Sequence, residues 1–346
     1  MEIFKNMKKI IILMGLFAGL MACENWENKF PDYKFTSVYF PYQYPVRTLV
    51  LGDDIYPNEN DNNHKFLISA SIGGVYENTR NRVINVELAP ELCNKVLFGI
   101  TGNDTIRMMP ASYYTLNPAN QIIISAGKFY GSIEVQLKDA FFDDPLAIGL
   151  NYVIPMRITG TTDVDTILVG KSSKSNPDPR VAGDWDILPK NFTMFAVKFV
   201  NPYHGHYLHR GQTVTTEVAT NAVVDVQIQH QPYVEKDEVW TLTTTAKNQV
   251  IYTGILRSSR LSGSLKMYLN FDNSGNCTIT DAGSAVPVTG NGRFVKDGDS
   301  WGGKKRNVIY ISYSASNGTY SITANDTLVV RDRGVVMQTY NPVVFK

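Results

Sequence analysis

Short runs of β-branched and aromatic residues, separated by clusters of Gly, Pro, Asn and Asp, repeat along the chain from Thr36 onward. No segment in this part keeps the periodicity of an amphipathic helix for long. Runs of this kind suit the pleated, half-buried surface of a strand. The pattern therefore predicts an all-β protein.

The chain has 346 residues, which is long for one domain and suits two domains with separate cores. Residues 171–180 are polar and contain two prolines, so we expect a linker there. The strand pattern of residues 36–170 favours an immunoglobulin-like β-sandwich. That of residues 181–346, beginning with a strand at 192–200, favours an antiparallel β-barrel or a second β-sandwich.

Residues 1–22 have the form of a secretory signal peptide, with lysines ahead of an apolar run that is too short to span a bilayer. The tetrad Leu20-Met21-Ala22-Cys23 resembles the bacterial lipobox, in which the Cys is acylated. We therefore expect a lipoprotein whose only membrane attachment is the lipid on Cys23. Residues 23–35 form the predicted tether, and its residues Glu24 and Glu27 resemble the acidic surface-export signal of Bacteroidetes lipoproteins. That resemblance implies a location in the outer membrane, at the cell surface.

The charge and cysteine content exclude several classes of function. Lys and Arg number 33 against 32 Asp and Glu, so the balance speaks against nucleic acid as a partner. Cys93 and Cys277 fall in different predicted domains and lack metal-ligand spacing, so we expect neither a disulfide nor a metal site from them. Phosphate-loop, nucleophile-elbow and zinc-protease motifs are missing from the sequence, and no cofactor is expected.

Two sets of segments resemble known Bacteroidetes domains. The segments similar to the N-terminal domain DUF1735 are Tyr39-Phe40-Pro41, Tyr113-Tyr114-Thr115-Leu116, Phe141-Phe142-Asp143-Asp144-Pro145 and Asn151-Tyr152-Val153-Ile154-Pro155. Those similar to the domain DUF4361 lie at 190–198, 201–205, 300–305 and 328–335. The resemblance implies a lipoprotein of a polysaccharide-utilisation locus, SusE-like in role, that captures glycan beside an outer-membrane importer and other surface lipoproteins. It brings no catalytic residues with it.

Sugar binding requires exposed aromatic rings that stack on pyranose faces, together with polar groups that bind hydroxyls. The candidate ligand-binding residues are Trp301, Trp240, Trp185, Tyr203, Tyr207 and His204. Trp301 stands out because it lies in a Gly-rich loop with charges on both sides. For each of the other rings, packing in the core is the competing interpretation.

A group of histidines and two pairs of carboxylates suggest a metal site and a glycosidase site. His204, His206 and His209 follow a His-x-His-x2-His spacing, but in a strand the third would point away from the first two. Adjacent carboxylates occur at residues 53–54 and 143–144, where turn residues surround them. Hydrogen-bonding and capping roles explain both clusters more simply than a metal site or a glycosidase pair.

Three functions therefore remain open. The first is surface glycan capture without catalysis. The second is an interaction or scaffold subunit that binds no sugar, and the third is a glycoside hydrolase of an unrecognised kind.

Overall fold

The computed structural model describes residues 32–99 and 104–345. The predicted signal peptide and the lipidation site Cys23 lie outside these residues. Across the described ranges, no helix is long and apolar enough to span a membrane. The fold is all-β, as predicted, and consists of a β-sandwich and a closed antiparallel barrel.

Eleven strands lie before residue 170 in the described ranges. They are β1 (Ser37–Tyr39), β2 (Pro45–Val50), β3 (Lys65–Gly73), β4 (Arg82–Leu88), β5 (Val96–Leu97), β6 (Arg107–Met108), β7 (Tyr114–Asn117), β8 (Gln121–Ile124), β9 (Tyr130–Leu137), β10 (Tyr152–Thr162) and β11 (Thr166–Ile167). Single helical turns lie at Glu59–Asn62, Pro90–Cys93, Ala111–Tyr113, Asp139–Phe142, Pro145–Ile148, Ala182–Asp184 and Val234–Lys236.

Twelve further strands complete the described part. They are β12 (Phe192–Val200), β13 (Gly205–Glu217), β14 (Val223–Gln229), β15 (Glu238–Ala246), β16 (Gln249–Ile255), β17 (Ser264–Phe271), β18 (Asn276–Asp281), β19 (Val288–Trp301), β20 (Lys304–Ser316), β21 (Tyr320–Asp332), β22 (Gln338–Thr339) and β23 (Val343–Val344).

The sandwich packs two sheets face to face. One has the strand order β11-β1-β3-β9-β7 and the other β22-β2-β12-β10-β4-β8, with β6 beside β10. Alternate residues of both sheets point inward, as the period of a strand requires, and form one apolar core that includes Ile68, Val135, Ile154 and Phe199.

Strand β12 corrects the predicted division of the chain. It lies beyond the predicted linker, yet it pairs with β10 on one side and β2 on the other, in the centre of a sandwich sheet. Seven of its nine residues are buried, and a strand buried on both faces needs the central position in a sheet that β12 has. The last strands, β22 and β23, also return to the first domain, where they pair with β2 and β5.

The barrel closes through eight strands in the order β13-β15-β16-β17-β18-β19-β20-β21, with β21 pairing back to β13. The sequence left a barrel or a second sandwich open, and the structure has the barrel. Strand β14 pairs with the second half of β13 and lies outside the closed ring. The inward side chains, among them Leu242, Met267, Ile279 and Leu328, fill the interior.

Arg333 joins the two domains. Its guanidinium donates to the carbonyl oxygens of Leu51 (3.0 Å) and Asp53 (2.8 Å) on the sandwich side. It also donates to those of His204 (2.7 Å) and Asn201 (2.6 Å), where the barrel begins. Arg333 is 5% exposed, so its guanidinium has little access to water and depends on these four oxygens for hydrogen bonds.

We expect Arg333→Ala to lower the free energy of unfolding by about 3 kcal/mol, because buried carbonyls lose a charged donor. Urea-induced unfolding measures the change. Arg331→Ala is the matched control. Arg331 is half-exposed and its ion pair with Asp332 is long, at 3.6 Å, so its loss is expected to cost less than about 1 kcal/mol. Equal costs for the two variants would refute the joining role of Arg333.

Candidate functional site

The predicted ligand-binding aromatic residues do not share one surface. Trp185 lies on the flank of the sandwich, where its indole N–H donates to the carbonyl of Asp178 (2.8 Å). Trp301 lies on the outer wall of the barrel, whereas Trp240 lies inside it. Each position is set by local packing and not by one common cleft.

Trp301 ends strand β19 and folds back over the outer barrel wall. It packs on Leu208, Val308 and Val329, and its indole N–H donates to the carbonyl of Val330 (2.9 Å). The Arg306 guanidinium lies 4.4 Å from the centroid of its ring. One face of the ring is therefore occupied by a cation, at a distance typical of a cation–π contact.

Trp240 is buried at 3% exposure and is stacked between two other rings in the barrel interior. The His209 ring lies 4.0 Å from it on one side and the Tyr252 ring 3.7 Å on the other. With both faces covered, Trp240 offers no surface to a sugar in this conformation.

Tyr203, Tyr207 and His204 lie together at the end of the barrel that faces the sandwich. The Tyr203 ring stacks on Phe271 at 3.6 Å, and the Tyr207 hydroxyl donates to the Tyr203 carbonyl (2.8 Å). His204 Nδ1 accepts a hydrogen bond from the Thr244 amide (3.1 Å). Burial, reinforced by the Arg333 cation, lowers the pKa of His204 to about 4. These three residues close the barrel end and hold a neutral imidazole there.

The histidine spacing does not form a metal site in the described residues, where no group of three metal-ligating side chains converges. His206 Nδ1 is instead 2.6 Å from Asp332 Oδ1, at the surface. His209 points into the barrel, as its position in a strand predicts. Hydrogen bonding accounts for both rings.

His209 is the centre of a buried polar cluster. Its Nδ1 is 2.6 Å from Glu238 Oε1, and its Nε2 is 3.2 Å from Asp326 Oδ1. Arg257 donates to the other Glu238 oxygen (2.6 Å). The Asp326 carboxylate occupies the space that a side chain at Gly211 would need, since a Cβ there would be 1.9 Å from Asp326 Oδ1. This cluster joins the adjacent strands β13, β15 and β21 and lies beside Trp240.

An open cleft of about 650 Å³ lies between the two domains. We call it the junction cleft; it is lined by Asp54, Ile55 and Tyr56 from the loop after β2 and by His206, Thr241, Arg331 and Asp332 from the barrel. The Tyr56 side chain is 71% exposed, and Ile55 beside it is 61% exposed. The cleft therefore combines an accessible aromatic ring with donors and acceptors of both charges.

Hydrogen bonds hold the polar groups of the junction cleft in place. Asp332 Oδ1 accepts from the Gly334 amide (2.9 Å) as well as from His206. On the other side of the same loop, a smaller lobe of about 270 Å³ includes Asp53, Lys296 and Asn307. Asn307 and Lys296 both donate to Asp53 (3.1 Å each), and the Asn307 bond in particular lowers the pKa of Asp53. Asp53 is therefore ionised at neutral pH.

The sequence predicts turn positions for the carboxylates 53–54 and a ligand role for His204, but it does not distinguish Tyr56 from other aromatic residues. The available signal was an aromatic residue in a loop rich in Asp, Asn and Gly, the context used to choose Trp301. Arg333 was also missed, because its role depends on backbone oxygens from distant parts of the chain.

Two domain-family profiles match the chain. A profile described as an N-terminal domain matches residues 32–165, and DUF5627, a domain of unknown function, matches residues 202–334. The second range coincides with the barrel. The profile found there is DUF5627, and the resemblance to DUF4361 stays a prediction. No curated protein matches the chain.

One solved structure is similar over nearly the whole chain. It is a protein of unknown function from Bacteroides ovatus, 39% identical, covering 91% of this chain and 100% of its own, with a TM-score of 0.82. A multidomain Bacteroides ovatus protein including DUF1735 is 12% identical over 87% of this chain and 97% of its own, with a TM-score of 0.39. An auxiliary nutrient binding protein from Bacteroides thetaiotaomicron VPI-5482 is 13% identical over 82% and 90%, with a TM-score of 0.37.

The lowered pKa of His204 makes stability depend on pH. The folded state stays neutral at His204 down to about pH 4, whereas the unfolded chain takes up a proton below its usual pKa of 6.5. The fold is therefore destabilised as the pH falls from 6.5 to 4, by up to about 3 kcal/mol, and the loss levels off below that. His204→Asn keeps an acceptor but does not titrate, and we expect its unfolding free energy to fall less over this window. Parallel curves for the two proteins would contradict the assignment.

The buried polar cluster predicts non-additive variants. His209→Ala is expected to cost about 3 kcal/mol, because the buried Asp326 carboxylate loses the imidazole nitrogen 3.2 Å away and a cavity opens beside Trp240. In an Asp326→Ala background the same change is expected to cost clearly less. Urea unfolding of the four proteins measures the coupling, with the surface pair His206 and Asp332 as a control expected to contribute under about 1 kcal/mol. Additivity within about 0.5 kcal/mol would reject the pairing.

Proposed function

This chain belongs to the same protein family as the 39% identical Bacteroides ovatus protein, and we propose that it is a cell-surface lipoprotein that captures oligo- or polysaccharide. Capture takes place at the junction cleft and supplies an outer-membrane uptake system. The protein performs no catalysis on the bound glycan.

The exposed Tyr56 ring in the junction cleft is the observation that carries the proposal. A ring that is 71% exposed offers a flat apolar face to the C–H face of a pyranose. Asp54, Arg331 and Asp332 beside it supply acceptors and donors for sugar hydroxyls. An apolar platform with a few convergent polar groups is the usual composition of a small-ligand site.

Asp53 and Asp61, two carboxylates of the segment after β2, lack the properties of a glycosidase acid, which supports capture without hydrolysis. A glycosidase acid has to stay protonated near neutral pH, and Asp53 beside the cleft has a lowered pKa instead. Burial raises the pKa of Asp61, but this side chain is only 3% exposed and its carboxylate accepts from the Val50 amide (2.9 Å). Neither residue has the protonation and access of a catalytic acid.

The anchoring part of the proposal rests on the sequence. Cys23 follows an apolar run and a small residue, as the acylated cysteine of a lipobox does. Several acyl chains on one residue are enough for stable attachment to a bilayer. The expected location is the outer membrane, facing outward, beside an importer and other surface lipoproteins.

We expect Tyr56→Ala to raise the Kd of a bound oligosaccharide about tenfold, which corresponds to the loss of about 1.4 kcal/mol of ring stacking. Glycan-array screening of residues 24–346 identifies the ligand, and calorimetry with that ligand measures both proteins. Because Tyr56 is exposed, the melting temperature is expected to stay the same. Tyr233→Ala, a ring of 61% exposure on the barrel, is the matched control and should bind normally.

Two other results would change the proposal. Unchanged affinity in Tyr56→Ala would move the site away from the junction cleft. Release of shortened product from a bound glycan would overturn the non-catalytic role. Trp301→Ala is expected to lower stability more than affinity, since the ring covers the outer barrel wall.

A second candidate, an interaction subunit without sugar affinity, is favoured by strand β14. This strand pairs with β13 alone in the described residues, and its Val224, Val226 and Ile228 side chains are 38%, 45% and 63% exposed. An unpaired edge with an apolar face is a typical site for pairing with another protein strand. Failure to bind any glycan, combined with co-purification of a surface lipoprotein that Val226→Lys abolishes, would favour this function.

A further inference from the structure

Five exposed aromatic side chains lie together at one end of the sandwich. We call this group the aromatic rim. It consists of Tyr33, Phe35, Tyr76, Phe129 and Tyr130, with exposures of 67%, 43%, 64%, 42% and 60%. A group of large, solvent-exposed aromatic rings is uncommon on the surface of a monomeric protein and indicates a binding face.

Backbone pairing brings the rim residues to the same place. Tyr33 donates from its amide to the carbonyl of Gly74 (3.0 Å), and the Tyr76 amide donates to Asp32 Oδ1 (2.7 Å). The rings of Tyr33 and Phe35 are in edge contact at 4.9 Å. The rim thus begins where the described chain enters the sandwich.

Tyr130, the first residue of β9, and Phe129 just before it contribute two more rings. The carbonyl of Phe129 accepts from the Ile72 amide (2.9 Å), and Tyr130 pairs with Ser71 at the end of β3. Gly74 follows β3 with a φ of +93°, and a Cβ there would be 2.3 Å from the Phe35 carbonyl oxygen. Only glycine permits this close approach, which fixes the rim segments against each other.

We propose that the aromatic rim rests on the surface of a phospholipid bilayer, with its rings at the level of the headgroups. The inference rests on the proposed lipoprotein function, because it takes the lipid on Cys23 as the nearby anchor. Eight residues lie between Cys23 and Asp32, and the nine steps from one to the other span at most about 30 Å when extended. The rim is therefore held within that distance of the bilayer, where Tyr and Phe rings partition favourably.

The charges near the rim indicate which lipids it contacts. Lys34 and Lys128 are exposed beside it, and so are Asp32 and Glu77. With two cations against two anions, attraction to anionic headgroups is weak. The rim fits a zwitterionic bilayer, and its binding should change little with salt concentration.

Flotation of the soluble chain 24–346 with phosphatidylethanolamine–phosphatidylcholine vesicles tests the rim without the lipid anchor. We expect Tyr33→Ser/Phe35→Ser/Tyr130→Ser to reduce the vesicle-bound fraction at least fivefold, at both low and high salt. The control Val223→Ser/Ile228→Ser/Tyr233→Ser removes three side chains that are 60%, 63% and 61% exposed on the barrel and should bind as the parent does. Thermal melts verify that both variants are folded.

No binding by the parent chain would overturn the proposal, and so would equal losses in the rim and control variants. Binding to glycans that the rim variant loses, without vesicle binding, would assign the rim to carbohydrate instead. Labelling of the full-length chain with radioactive palmitate, beside Cys23→Ala, tests the anchor separately. Absent label with intact vesicle binding would reject the lipoprotein function and leave the membrane-binding face standing.

Discussion

The arrangement of the two domains depends on the buried guanidinium of Arg333. It sits in the short segment after β21 and reaches carbonyl oxygens that belong to the sandwich and to the start of the barrel. Burial of a cation is costly unless its donors find acceptors, and here oxygens from Leu51, Asp53, Asn201 and His204 accept from four of the five guanidinium N–H groups. The same contacts hold the loop that carries Tyr56 against the barrel, so the joint between domains also shapes the cleft.

The filled barrel explains why the cleft lies outside it. An eight-stranded barrel is just wide enough for side chains to fill or for one small ligand to enter. Here Trp240 is stacked between two rings, and the polar cluster around His209 lies beside it. Tyr203 and Phe271 close the end that faces the sandwich. A ligand therefore has space at the junction, where the sandwich loop and the barrel rim leave a gap.

Much of the fold was predictable from sequence because strand periodicity is local. The all-β class and the strands at 82–88, 121–124 and 264–271 follow from alternation and turn residues alone. Membership in a sheet is a tertiary property, so β12 was assigned to the wrong domain. The candidate site is harder to predict from the sequence. Trp240 is buried and Tyr56 is exposed, although both are aromatic residues, and the local sequence pattern does not reveal that difference. Arg333 contacts the Leu51 carbonyl, which is 282 residues away in the sequence, and no local pattern predicts such a contact.

Strand β12 restricts motion between the two domains. It is hydrogen-bonded on both sides within the sandwich and leads through Asn201 into the barrel after only a few residues. The Asn201 side chain donates to the carbonyls of Ala246 (2.9 Å) and Gln249 (2.8 Å). The backbone amide of Asn201 donates to the Thr244 hydroxyl (3.0 Å). A connection this short and this heavily bonded restricts hinge motion. The cleft is therefore preformed, and a ligand that binds there does not have to offset the entropy of ordering two mobile domains.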